Sequence, residues 1–292
     1  MKTGFVAIIG RSNSGKSTLI NALVGEKVAI VSWRPQTTRD RIIGVLNGEG
    51  FQAAFVDTPG LHHAQNKLGE YMVKSVDAAL SDVDVVLYIS DAVRGVSTED
   101  IEFIESAAKK CGIVVAVNKI DSVMPSTLAE ELVKLNGINE LKAVVPISAK
   151  RGDNLEVLTK EIVKLLPEGE PMYPEDVLTD KSERFMCGEI IREKALTRLD
   201  KEIPFGLGIV INKFEKRIGK DIFDIDADII CERKSHKAII IGKQGAMLKE
   251  IATEARLDIE KLIDCKVNLQ LWVRVKEDWR DNNAILGELG YK

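Results

Sequence analysis

A chain of 292 residues that is 45% hydrophobic and 29% charged has room for two domains and is too apolar to be disordered. Its net charge of −4 is spread evenly, 19 Lys/Arg against 22 Asp/Glu up to residue 172 and 22 against 23 beyond it. That excludes a globally basic nucleic-acid binder and leaves only a local patch for such a role. Cys111, Cys187, Cys231 and Cys265 stand at no metal-ligand spacing and read as reduced thiols of a cytoplasmic protein. No apolar run reaches the ~18 residues of a membrane span.

Up to about residue 166, short apolar runs alternate with helical patterns. Strands are expected at Phe5–Ile9, Gln52–Val56, Val85–Ile89, Ile113–Val117 and Val144–Ile147. Each is apolar on both faces, as strands covered by helices must be. The pattern predicts an α/β domain over 1–166 with a mostly parallel sheet. Polar clusters follow the strand ends, where open α/β sheets bind ligands.

The first cluster, Gly10-Arg11-Ser12-Asn13-Ser14-Gly15-Lys16-Ser17 followed by Thr18, fits the phosphate-binding loop G-x-x-x-x-G-K-[ST]. The glycines let backbone N–H groups turn onto phosphates, Lys16 adds a point charge, and the Ser17 hydroxyl is a magnesium ligand. Asp57-Thr58-Pro59-Gly60 comes about 40 residues later. There Asp57 can hold magnesium through water and the Gly60 amide can meet a γ-phosphate. Between them lie Thr37 and Thr38; Thr38 is favoured to complete the magnesium shell and Thr37 is its rival, in a segment that orders with the triphosphate. Asn118-Lys119-Ile120-Asp121 offers a carboxylate to the N1–H and 2-amino groups of guanine, donors that adenine lacks. Lys119 can lie along the ring face. Ser148-Ala149-Lys150 follows the last strand and offers an amide to guanine O6. Lys16, Thr38 and Gly60 are therefore the expected catalytic contacts of a GTPase.

Leu61 stands directly after D-x-x-G, where Ras-type enzymes carry a water-orienting glutamine. Either K⁺, with Asn13 as an oxygen ligand, or a group delivered in trans must supply the missing contribution.

Residues 167–182 hold three of the eight prolines and read as a linker. Beyond it the pattern is α+β: a helix at Ser182–Leu199, alternating strands at Asp221–Cys231 and Val267–Val275, and a helix near Ala246–Ile263. Gly242-Lys243-Gln244-Gly245 precedes that helix and follows Ile239–Ile241, an apolar run read as a strand. From Arg233 to Lys249 there are five Lys/Arg and no Asp/Glu. A G-x-x-G loop in such a patch lets an RNA backbone approach closely, and Lys237, Gly242, Lys243, Gln244, Gly245 and Lys249 are the expected RNA contacts. Trp272 and Trp279 could stack bases but read first as core or interface residues, and His62, His63 and His236 read as solvated surface.

GRSNSGKS, PQTTRDR, DTPGL, NKID and SAK, followed by IIIGKQGAMLKEIATEAR and LWVRVKEDWRDNNAILGELGY, resemble the Era family of bacterial GTPases over the whole chain. The resemblance implies a Ras-like GTPase domain (1–166) and a smaller type II KH domain with a C-terminal helix (183–292). It further implies GTP/GDP and Mg²⁺ as ligands, binding near the 3′ end of small-subunit ribosomal RNA, and a part in assembling the small ribosomal subunit. Peripheral membrane contact and a monomeric state are also expected. Ser12, Ser14 and Trp33 depart from the family pattern, and none of these changes removes a phosphate or magnesium ligand. Two other readings stay open: a GTPase switch acting on a different RNA, and a membrane or cell-cycle regulator whose KH-like domain binds protein.

Overall fold

In the computed structural model, which describes residues 1–34, 37–60, 66–81, 83–138, 140–200 and 203–291 but not the side chains of 75–81 and 205, the apolar runs become the strands of a six-stranded sheet. These are β1 (Lys2–Ile9), β2 (Ile42–Gly48), β3 (Phe51–Asp57), β4 (Val85–Asp91), β5 (Gly112–Asn118) and β6 (Ala143–Pro146), in the order β2-β3-β1-β4-β5-β6. Every pairing is parallel except β2 with β3. That antiparallel strand is absent from the sequence reading, although Asn47-Gly48-Glu49-Gly50 after an apolar run is a hairpin signal.

The intervening helices are α1 (Lys16–Val24), α2 (Lys67–Ser81), α3 (Thr98–Ala108), α4 (Pro125–Asn136) and α5 (Leu155–Leu165). Their starts follow local chemistry. Ser97 and Asp100 form a reciprocal capping box on α3, and Pro125 occupies the first turn of α4, where its missing N–H costs nothing. Ala7, Ile9, Val86, Tyr88, Val115 and Val117 fill one core cluster with Ile104 and Leu135. The central strands are thus buried, and only their ends are free for ligands.

The chain divides into two compact units. The first comprises Met1–Ala29, Thr38–His63 and Met72–Asp180; the second comprises Ile30–Thr37, Ala64–Tyr71 and Lys181–Lys292. The segment read as a linker is tied to the first unit through residue 180. Gln52 Oε1 accepts from the amides of Met172 and Tyr173 at 2.7 and 2.9 Å. Val45 N–H donates to Leu178 O at 2.9 Å, and Thr179 bridges antiparallel to Gly44.

In the second unit, α6 (Glu183–Arg198), β7 (Gly208–Lys216), β8 (Ile222–Cys231), α7 (Lys234–Ile241), α8 (Ala246–Leu262), β9 (Lys266–Val275) and α9 (Asn283–Glu288) follow in order. The sheet order is β7-β8-β9, antiparallel then parallel. Its core gathers Ile190, Ile191, Ile225, Ala227, Ile229, Ile240, Ile251, Ala255 and Val273. Ile239–Ile241 is a correction to the sequence reading, since these residues close α7 rather than form a strand. A three-residue apolar run is too short for its period to separate the two; Ile240 faces the core while Ile239 is exposed, which is helical spacing.

Trp279 is fully buried with its indole N–H on Gly206 O. Trp272 is 44% exposed, which removes it from the core and leaves the interface and base-stacking readings open. His236 is half-buried rather than solvated, while His62 and His63 lie outside the described residues. Among the described residues no helix is long and apolar enough to cross a membrane.

Candidate nucleotide and RNA sites

At the C-terminal end of β1 the chain enters a loop that only small backbones permit. Gly15 has φ +101, and a Cβ there would lie 2.3 Å from Asn118 Nδ2. This close approach lets the Asn118 side chain reach the loop. Its Nδ2 donates to Ser14 O at 2.9 Å, and its Oδ1 accepts from the Ala149 amide at 3.0 Å. One buried amide thus joins the phosphate loop, the end of β5 and the loop after β6. The Ala149 N–H, expected to face guanine O6, is engaged by Asn118 here.

Lys119 is held the same way, its Nζ donating to Asn13 O at 2.8 Å and to Asp91 Oδ2 at 2.7 Å. Asp91 is a partner the sequence reading missed; it ends β4 and carries no motif of its own. Asp121 accepts from Ser148 Oγ at 2.6 Å and from Ser122 Oγ at 3.1 Å. The Ser148 bond holds its carboxyl below the usual range, so it is an acceptor at neutral pH.

Three oxygens converge on the first turn of α1. Ser17 Oγ lies 2.9 Å from Thr38 Oγ1 and donates to Asp57 Oδ2 at 2.9 Å, and Thr38 Oγ1 donates to the same Oδ2 at 3.2 Å. Thr37 is turned away, its Oγ1 donating to Arg34 O at 2.6 Å. Asp57 is fully buried, and its Oδ1 has no hydrogen-bond partner. Burial pushes its carboxyl up, against the pull of Lys16 and the two hydroxyls. A buried carboxylate with an orphaned oxygen beside two hydroxyls has the donor set a small hard cation requires.

Lys16 stands in the same enclosure. Its Nζ donates to Gly10 O at 2.9 Å and Arg11 O at 3.0 Å, and burial lowers its pKa to about 8 despite Asp57. An ammonium so strongly desolvated is stabilised by any anion brought to the loop.

Thr18 is half-buried in the first turn of α1, Lys150 is exposed beyond Ala149, and Gly60 lies against Ser12 of the loop. Leu61 lies outside the described residues. Arg11, also unmarked by the sequence reading, reaches α3 and pairs with Asp100 at 2.8 Å.

In the second unit Gly242 has φ 73 and ψ 177, a region open essentially to glycine alone. The loop then makes a single 3-10 turn, Lys243–Gly245, before α8. Lys243, Gln244 and Lys249 are exposed and Lys237 is half-buried. The basic patch therefore surrounds a helix–loop–helix turn in which Lys243 and Gln244 are exposed and both glycines are half-buried.

The family model described as "50S ribosome-binding GTPase" matches residues 5–119, and that described as "KH domain" matches 202–280. GTPase Era of Clostridium kluyveri is 47% identical over 293 residues, covering 100% of both chains. The chain belongs to the Era family of GTPases. GTPase Era of Clostridium acetobutylicum is also 47% identical, over 100% of this chain and 98% of that one. Among solved structures, a point variant of Aquifex aeolicus Era bound to GDP·AlF4⁻ is 39% identical with a TM-score of 0.95, covering 100% of this chain and 99% of that one. Era in complex with MgGDPNP and nucleotides 1506–1542 of 16S ribosomal RNA matches with the same identity, coverage and score. The α/β GTPase fold with a C-terminal KH domain is thereby established for this chain, and with it GTP hydrolysis as its activity.

Proposed function

We propose that this Era-family GTPase binds GTP with Mg²⁺ in the first unit, holds small-subunit ribosomal RNA near its 3′ end through the second, and so assists assembly of the small ribosomal subunit in the cytoplasm. The observation that carries the reading is the pairing of Ser17, Thr38, Asp57 and Lys16 in one enclosure with an exposed basic G-x-x-G loop elsewhere in the chain. Although one family model names the 50S particle, one of the solved relatives that match the whole chain holds 16S RNA, which favours the small subunit.

In this reading Ser17 and Thr38 hold the magnesium ion through their hydroxyls, and Asp57 holds it through water. The bound ion neutralises charge developing on the β- and γ-phosphates. Lys16 exchanges its two loop carbonyls for phosphate oxygens. Asp121 selects guanine by accepting from N1–H and the 2-amino group. Asn118 and Lys119 keep the loops that carry these groups in register. Lys243, Lys249 and Lys237 meet RNA phosphates, and Gly242 and Gly245 let the backbone close on about four nucleotides.

The test is sequencing of RNA crosslinked in cells to the GTP-locked protein. Reads concentrated at the 3′ end of the small-subunit RNA are expected. A dominant transfer-RNA or messenger-RNA signal would replace the ribosomal assignment with the other RNA reading, and no RNA above background would favour a protein-binding second unit.

A further inference from the structure

Within the first unit the phosphate loop is held from outside at each residue from Arg11 to Ser14. Its second half hangs on the base-recognition motif, with Asn118 Nδ2 on Ser14 O at 2.9 Å and Lys119 Nζ on Asn13 O at 2.8 Å. Its first half depends on contacts outside the motifs. Arg94, in the turn after β4, donates from Nη1 to Ser12 O at 3.1 Å. Arg11 is held by its own side chain, the one long side chain between Gly10 and Gly15.

The anchor for Arg11 is a buried carboxylate. Asp100, in the first turn of α3 and 4% exposed, meets Arg11 Nε through Oδ1 at 2.8 Å. The same oxygen accepts from Tyr88 OH at 2.5 Å, and Oδ2 accepts from the Ser97 amide at 2.9 Å. Burial and the Asp100 carboxylate push the Tyr88 phenol well up, so it stays a donor. Asp100 therefore cannot turn from Arg11 without opening a helix cap and stranding a buried hydroxyl. Arg11 Nη2 also donates to Ser97 Oγ, whereas Glu99, at 3.2 Å and largely exposed, adds little. A planar guanidinium gripped at Nε and Nη2 keeps one orientation.

The tether bears on a carbonyl. Arg11 O accepts from the Ser14 amide at 3.2 Å and from Lys16 Nζ at 3.0 Å. The loop closes on this oxygen, and Lys16 is aimed by it before nucleotide arrives. We infer that Asp100, braced by Tyr88, is a positioning residue for GTP binding that acts through the Arg11 guanidinium to keep the phosphate loop in its receptive shape. The inference rests on the reading of residues 10–17 as the phosphate loop with Lys16 as its charged ligand. Once the tether is cut, Gly10 and Gly15 let the loop sample other shapes, and affinity falls with the fraction that remains receptive.

The test is Asp100→Asn in the full chain, which keeps the size and can still cap α3 while giving up the charge. Arg11 is half-buried, so its freed guanidinium reaches water rather than being stranded. The Kd for GDP and for GTP is expected to rise about five- to twentyfold, as when a receptive state becomes a minor one. GMP, measured by competition against labelled GDP, lacks the β-phosphate that Lys16 serves and should lose less than about twofold. Arg11→Met should match the loss of GDP affinity, and Arg11→Lys should regain most of it. In the Arg11→Met background Asp100→Asn should add less than about twofold, as expected when one residue acts through the other.

Parental GDP affinity in Asp100→Asn would overturn the inference. So would an equal loss for GMP, the mark of general loosening, or an undiminished effect in the Arg11→Met background. Should Asp100→Asn lose its cooperative thermal transition, the two Arg11 variants decide. The inference then requires weakened GDP with GMP kept in Arg11→Met and recovery in Arg11→Lys, and parental GDP affinity in Arg11→Met would overturn it. Undiminished GDP affinity in Lys16→Ala would overturn it too, and would mark the phosphate-loop reading as the part that failed.

Discussion

Asn118→Ala separates the structural part of the base-recognition motif from the chemical part. The wild-type side chain satisfies Ser14 O and the Ala149 N–H at 2.9 and 3.0 Å while only 2% exposed. Truncation leaves both main-chain groups without their partner, and a buried polar group stripped of its bond costs about 1–3 kcal/mol. Some water can enter the vacated space, so the expected loss is about 2–4 kcal/mol. In a unit of this size that is a fall of roughly 5–15 °C in Tm, at about 2–4 °C per kcal/mol. The measurement must be made on nucleotide-free protein, because bound ligand adds stability of its own. Far-UV circular dichroism follows both units, whereas Trp33, Trp272 and Trp279 all lie in the second. Tryptophan fluorescence is therefore an internal reference, and the ellipticity transition is expected to move while the fluorescence transition stays. Asn118→Asp, which keeps the acceptor for Ala149 but turns a carboxylate onto Ser14 O, should lose nearly as much. A shift below about 2 °C in Asn118→Ala would refute the view that this amide holds the three loops together.

Asp121→Asn is expected to move base preference from guanine to xanthine, whose 2-carbonyl accepts from the new amide; competition binding with XDP checks it, and full GDP affinity with no gain for XDP rules it out. Lys16, with its pKa lowered to about 8, must regain its proton to bind phosphate. Nucleotide affinity should therefore be flat below pH 8 and fall towards tenfold per unit just above it, with proton uptake visible by calorimetry in buffers of different ionisation enthalpy; a flat affinity to pH 9 contradicts the shift. The same depressed pKa means the unliganded fold gains stability as pH rises from about 8 towards 10.5, since the unfolded chain then binds more protons. GTP turnover is expected to be faster in K⁺ than in Na⁺ at equal ionic strength, with the difference lost in Asn13→Ala; equal parental rates would leave a group supplied in trans. For the RNA loop, Gly242→Asp is a poor probe, because a Cβ there would meet Met247 Cβ at 2.7 Å. Lys243→Asp with Gln244→Asp inverts the charge at exposed positions, and Asp tolerates the left-handed conformation that Gln244 adopts at φ 52. It should weaken RNA binding and flatten the salt dependence by about 0.7 in log–log slope while GTP turnover is kept; unchanged RNA affinity at moderate salt would remove the loop from the RNA site.

The sequence made the nucleotide site legible because each motif must follow a strand end, and apolar runs mark strand ends well. Lys16, Ser17, Asp57, Asn118 and Asp121 stand where that logic puts them. Thr38 is favoured over Thr37 in the sequence, where adjacent threonines are equivalent as letters; in the structure the Thr37 hydroxyl bonds Arg34 O while the Thr38 hydroxyl meets Ser17 and Asp57. Asp91 was invisible because its partner Lys119 is far away in the chain and its own neighbourhood carries no motif, and Arg11 because it fills a variable position of the phosphate loop while its partner Asp100 lies on α3. Strand β2 was overlooked for a different reason. A search for buried parallel strands separated by helices passes over a hairpin at the sheet's margin.

That margin matters for how the protein survives in a crowded solution. A sheet whose last strand is unpaired offers a row of amides and carbonyls to any other extended chain. Here Val45 N–H is taken by Leu178 O, Ile43 N–H by the Asp180 carboxylate at 2.9 Å, and Gly44 is bridged by Thr179. Residues 178–180 thus act as a selvedge, finishing the β2 margin of the sheet so that it does not fray into its neighbours. A first unit cut at residue 166 would lose that border and should self-associate; one cut after residue 180 should not.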